Sequence, residues 1–107
     1  VNQLNNITYI AGPITNTPNY RQNFATAEAK LSSRGDKVFN PSFMPEGLPH
    51  EAYMPICYAM MDACNTIYLM HGWRESKGAK MEYERAIKRG MKIMFESEAD
   101  NGIKTMP

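Results

Sequence analysis

Short apolar runs that alternate with stretches of helical period constrain this chain more than any other feature. Ile7-Thr8-Tyr9-Ile10-Ala11, Lys37-Val38-Phe39, Thr66-Ile67-Tyr68-Leu69-Met70 and Met91-Lys92-Ile93-Met94-Phe95 each have the length and the β-branched or aromatic content of a strand. The segments between them are long enough for a helix, and a strand that returns parallel to its neighbour needs such a crossover. The expected fold class is α/β: a single Rossmann-like (flavodoxin-like) domain, with a parallel sheet of four to five strands and helices on both faces. A fifth strand would come from a weak apolar signal near Ile103.

Breakers and periodicity place the elements. Gly12-Pro13 stops the first strand, and a helix is predicted over Tyr20 to Ser33, where Tyr20, Phe24, Ala27 and Leu31 recur on one face before Gly35. Asn40-Pro41 ends the second strand. The stretch PSFMPEGLPH, residues 41–50, holds three prolines and a glycine and reads as an ordered loop. A helix follows over about Glu51 to Ala63, with Pro55 marking its first turn or a kink. Another spans about Lys77 to Arg89, with Ala79, Tyr83, Ala86, Ile87 and Gly90 as its apolar face. The domain core covers about residues 7–95, and the polar tail 96–107 is expected to be loose or used in oligomer contacts.

The 107 residues include no apolar run near the roughly 20 that a membrane-spanning helix needs, so no membrane partner is expected. VNQLNNITYI lacks the pattern of a secretory signal, which makes a cytoplasmic location the expectation. Net charge is +1 and the basic residues are scattered, a poor footprint for nucleic acid. A small molecule is the expected partner. Cys57 and Cys64 stand seven apart, fitting neither a CxxC redox pair nor a zinc knuckle, and read as buried free thiols. His50 and His71 have no ligand spacing around them, so no metal is expected.

In open parallel sheets ligands sit outside the carboxyl ends of the strands. The segments AGPIT, NPSFMPEG and HGWRESKGA should meet there. In the third, Ser76 can cap a helix while Gly78 lets the amides from Lys77 to Ala79 approach an anion; a plain cap and turn is the alternative. Glu82 flanks the apolar face between the small residues Ala79 and Ala86. It is either a boundary glutamate, solvated or hydrogen-bonded to the neighbouring loop, or a partly buried carboxylate open to a ligand, held ionised by the helix dipole. Gly12 permits close backbone approach, or simply a turn; Tyr9 and Trp73 offer rings for stacking on a base, or for packing. AGPITN has one glycine where a dinucleotide fingerprint has three, and SKGAK lacks the order of a P-loop, which disfavours those NAD and ATP sites.

YIAGPIT, NPSFMPEG and GWRESKGAKMEYERA, in that order over about residues 7 to 95, resemble the nucleoside 2-deoxyribosyltransferase superfamily, most closely its short phage and bacterial branch. The resemblance implies an N-glycosidic-bond enzyme without a cofactor, acting on nucleosides or their 5′-monophosphates as a deoxyribosyltransferase or an N-glycosidase. It implies Glu82 as the nucleophile that forms a glycosyl-enzyme ester and Tyr9 as its helper. Ser76, Gly78 and Ala79 would hold phosphate, Gly12 and Pro13 would line the sugar pocket, and Trp73 belongs to the same motif. It also implies a homo-oligomer, dimer or higher. Cys57 and Asn65 stand where relatives often carry acidic residues, and a non-catalytic nucleotide-binding module is the alternative.

Overall fold

The computed structural model describes residues 6–96. Strand β1 is Ile7–Ala11, helix α1 Tyr20–Ser33, strand β2 Lys37–Phe39, helix α2 His50–Asp62, strand β3 Thr66–Leu69, helix α3 Lys77–Arg89 and strand β4 Lys92–Phe95, with single 3₁₀ turns at Pro41–Phe43 and Trp73–Glu75. The strands form one parallel sheet in the order β2-β1-β3-β4. Tyr9 pairs with Phe39 on one side and Ile67 on the other, and Leu69 pairs with Phe95. This is the expected Rossmann-like architecture, with four strands among the described residues. The signal near Ile103 and the tail beyond Glu96 lie outside them.

Strand alternation divides the core in two. Ile10, Tyr68 and Met70 pack on Phe24, Ala27 and Leu31 of α1. Tyr9, Ala11, Ile67 and Leu69 face the other way, onto Cys57 and Met61 of α2 and Ala79 and Ala86 of α3. Because β1 is central, Tyr9 is entirely buried beneath those two helices. The chain leaves β1 for β2 on one side and comes back over it to β3 on the other, so the loops after β1 and β3 part at their carboxyl ends and leave a crevice.

Helix boundaries follow the sequence closely, with two differences of substance. α2 begins at His50 and continues through Pro55, whose ring occupies the first half of the helix without ending it. On α3 the buried residues are Ala79, Glu82 and Ala86, whereas Ile87, expected on the apolar face, is 52% exposed. Two alanines let α3 approach the sheet closely along that line, and the polar residue between them is tolerated because it finds a partner on β1. Ser76 caps α3 as expected, its Oγ accepting the Ala79 N–H at 3.1 Å.

Candidate active site

The crevice holds a cleft of about 760 Å³, walled by the end of β1 and the loop after it, the start of α1, the loop from Pro41 to Leu48, one face of α2 and the first two turns of α3. Glu82 lies on its floor and is 6% exposed. The Tyr9 hydroxyl donates to Glu82 Oε2 at 2.7 Å, linking the middle of the sheet to the second turn of α3. Cys57, from α2, brings its thiol up beside both groups.

Burial dominates the electrostatics of this trio. Loss of solvent pushes the Glu82 carboxyl up to about 7, against the Tyr9 hydroxyl and the Cys57 thiol, which favour the anion. The helix dipole therefore does not hold Glu82 in an ordinary carboxylate range, as the sequence suggested; its effect fades beyond the first turn, and Glu82 is the sixth residue of α3. Burial and the facing carboxylate push the Cys57 thiol up to about 12 and the Tyr9 hydroxyl well above its usual range. Near neutral pH the site offers one carboxyl that can gain or lose a proton and two donors that keep theirs. A carboxylate so placed can act as a nucleophile or a base toward a ligand in the cleft.

The structure brings Tyr9, Gly12, Ser76, Gly78, Ala79 and Glu82 together on the cleft wall. Gly12 is closely packed here, since a Cβ at this position would meet the side chain of Met70, first its terminal methyl, which would have to move. Gly78 lies beside His50 and Met54 of α2. Pro13 and Trp73 do not line the cleft. Pro13 rests against Gly72, which adopts a left-handed conformation (φ +86°) to turn the chain after β3. Trp73 is buried on the far side of that turn, with its ring 4.7 Å from Tyr83 and 6.1 Å from Phe95, and the Arg74 guanidinium lies 4.8 Å from its centre. An aromatic at the start of a loop after a strand carries no sequence signal that distinguishes core packing from a ligand wall.

Asn65 is likewise remote. Its Oδ1 accepts the Ile7 N–H at 3.0 Å and the Thr66 hydroxyl at 2.7 Å, at the amino ends of the strands. It ties β1 to β3 at the end of the sheet opposite the cleft.

Other contributors escaped the sequence reading. The Tyr20 hydroxyl donates to Glu46 Oε2 at 3.2 Å, while Arg21 donates to the Tyr20 oxygen at 3.0 Å and the Met44 carbonyl at 3.2 Å, joining the loop to α1. Tyr53 secures the same loop to α2, donating to the Pro45 carbonyl at 2.6 Å and accepting the Leu48 N–H at 3.1 Å. Three prolines announced an ordered loop, but nothing in the pattern named its anchors. Among the described residues no group of three or more His, Cys, Asp or Glu side chains is arranged to hold a metal ion, and no helix is long and apolar enough to cross a membrane.

A family model for a domain of unknown function, DUF4406, matches residues 6–95. The chain belongs to this family. Among curated proteins, none matches it. The matched span of the DUF4406 domain takes in all four strands, all three helices and every residue of the Tyr9–Glu82–Cys57 trio.

Proposed function

We propose that the cleft cleaves N-glycosidic bonds of nucleosides or their 5′-monophosphates, with Glu82 as nucleophile. The observation that carries this reading is the buried Glu82 carboxyl on the cleft floor, held at 2.7 Å by the Tyr9 hydroxyl. Resemblance to the nucleoside 2-deoxyribosyltransferases supplies the reaction class. A Glu82 oxygen attacks the anomeric carbon, the bond to the base breaks, and a glycosyl ester forms; water or a second base then releases the sugar with configuration retained. Tyr9 fixes the rotamer of the attacking carboxylate. The buried, partly apolar setting strengthens the attraction between that anion and an oxocarbenium-like transition state.

Ser76, Gly78 and Ala79, at the start of α3, form the wall that receives the 5′ end of the sugar. A homo-oligomer fits the same reading.

The test is chromatographic detection of free base from ribo- and deoxyribonucleosides and their 5′-monophosphates, with and without an acceptor base. Release by the parent that disappears in Glu82→Gln supports glycosidic chemistry, and dependence on the acceptor separates transferase from hydrolase. A second reading, a nucleotide-binding module, is favoured by Cys57, a poor acid, as the third group of the trio. Binding of a nucleotide by a folded parent that turns over no member of the panel would establish it in place of the first.

A further inference from the structure

Breaking a bond between a sugar and an uncharged base requires the base to leave as an anion or to be protonated as it leaves, and enzymes that use two carboxyl groups assign the second to that task. Among the described residues this cleft has one buried carboxyl, that of Glu82. The groups beside Glu82 are the hydroxyl of Tyr9, whose hydrogen is already directed at Glu82 Oε2, and the thiol of Cys57, which burial and the facing carboxylate keep firmly protonated. The other carboxylate of the wall, Glu46, stands at the mouth with its side chain 70% exposed, bonded to Tyr20 and 3.8 Å from the Arg21 guanidinium. His50 is exposed at the first residue of α2 and adjoins Gly78, a full turn of α3 before Glu82.

Charge points the same way. The described residues lining the cleft include two glutamates and neither a lysine nor an arginine. Arg21 pairs with Glu46 at 3.8 Å and covers the Tyr20 ring at 5.2 Å, which leaves the Glu82 carboxylate, when ionised, as the charge that faces the cleft interior and favours a cationic group bound beside it.

We infer that the glycosidic bond cut in this cleft joins the sugar to a base that already carries a positive charge, as in a pyridinium nucleoside or an N7-alkylated purine nucleoside. The inference rests on the glycosidic reading above and narrows its substrate. A Glu82 oxygen forms a bond to C1′ as the C1′–N bond breaks, and the released electron pair returns to the ring nitrogen and cancels its charge. The base departs neutral, and no proton is transferred to it. Water then adds to C1′ and the ester C1′–O bond breaks, which restores the Glu82 carboxylate and releases one proton to solvent. The balance is charged nucleoside plus water giving sugar, neutral base and a proton, without any further reactant.

Matched pairs test this: 7-methylguanosine against guanosine, their 2′-deoxy counterparts, and nicotinamide riboside against its uncharged dihydro form. Base release is measured with the parent and with Glu82→Gln, each corrected for spontaneous loss. The expected result is a kcat/KM at least about tenfold higher for the charged member of a pair, and abolished in Glu82→Gln. Comparable cleavage of both members, within about tenfold, overturns the charge requirement and leaves the glycosidic reading standing. Failure of the parent to cut any member overturns both. Cys57→Asp puts a carboxyl beside Glu82, where two like charges share a proton and one becomes an acid. In that variant, once circular dichroism shows it folded, cleavage of guanosine should rise at least about tenfold; an unchanged ratio of charged to uncharged substrate also overturns the inference.

Discussion

The Tyr9 hydroxyl and the Glu82 carboxylate, 73 residues apart in the chain, meet at 2.7 Å beneath the cleft. Neither group has an alternative in solvent, since Tyr9 is fully buried and Glu82 is 6% exposed. An interaction of that kind costs little while it is satisfied and much when one partner is removed.

Tyr9→Phe deletes the donor and leaves a buried carboxyl without its strongest partner. The expected loss of stability is about 1–3 kcal/mol at pH 8, where Glu82 is ionised, and clearly less at pH 5, where it is neutral. Urea unfolding at the two pH values reads this directly, and equal losses at both would show that the hydroxyl packs rather than bonds. Under the proposed glycosidic chemistry, turnover should fall with it, because Glu82 loses the group that positions it.

Glu82 itself makes stability depend on pH with a defined sign. Its folded value is raised, to about 7 from an ordinary 4.5, so folding favours the protonated form. That contribution is complete below about pH 4.5 and is lost as pH rises through about 7. Relative to Glu82→Gln, the parent should lose on the order of 3 kcal/mol between about pH 4.5 and pH 8, with the gap closing in acid. Under the proposed glycosidic chemistry, activity runs in the opposite sense and should rise through about pH 7 in the free protein, since there only the carboxylate attacks. A pH-independent difference between parent and variant would remove Glu82 from the buried, titrating role.

Thiol chemistry gives an independent view of the same trio. The Cys57 thiol is pushed up to about 12 and the Cys64 thiol to about 11, each chiefly by burial, and Glu82 adds to the rise only at Cys57. Both should react with an aromatic disulfide reagent on the order of 100-fold more slowly in the folded chain than in urea. Glu82→Gln should accelerate Cys57 alone. Mass mapping of the labelled peptides checks the assignment, and equal acceleration at both sites would indicate general loosening.

Gly12→Ala places a methyl group against Met70, and the expected cost is about 1–3 kcal/mol. The obstacle is one side chain, so Gly12→Ala combined with Met70→Ala should be less destabilised than the sum of the single changes. Thermal or urea unfolding of the four proteins gives the coupling. Strict additivity would mean that the Met70 side chain is not what opposes a methyl group at position 12.

Local pattern carried most of the architecture. Periodicity, prolines and glycines placed all three helices within about a residue and the four strands nearly as well, because each signal depends on neighbours a few positions away. Ser76 as the cap of α3 was legible for the same reason. The candidate site was legible in part: Glu82 stood out as an acid between two alanines, and the loops that end the strands followed from the logic of parallel sheets. Ile87 was misassigned because helical periodicity gives an apolar face only to within a residue or two, and the close seam of Ala79 and Ala86, with Glu82 between them, determined the true one.

Sequence alone determined the order of elements, the α/β class, and the end of the sheet at which the cleft opens, since all three follow from spacing and from the chirality of crossover connections. Only the tertiary structure decided which side chains meet. It put Cys57 beside Glu82, left Asn65 at the far end of the sheet, buried Trp73 away from the cleft, and raised the Glu82 carboxyl by removing it from water. Those outcomes depend on distances between residues far apart in the chain and on the solvent that packing excludes, and neither quantity is written in any local stretch of sequence.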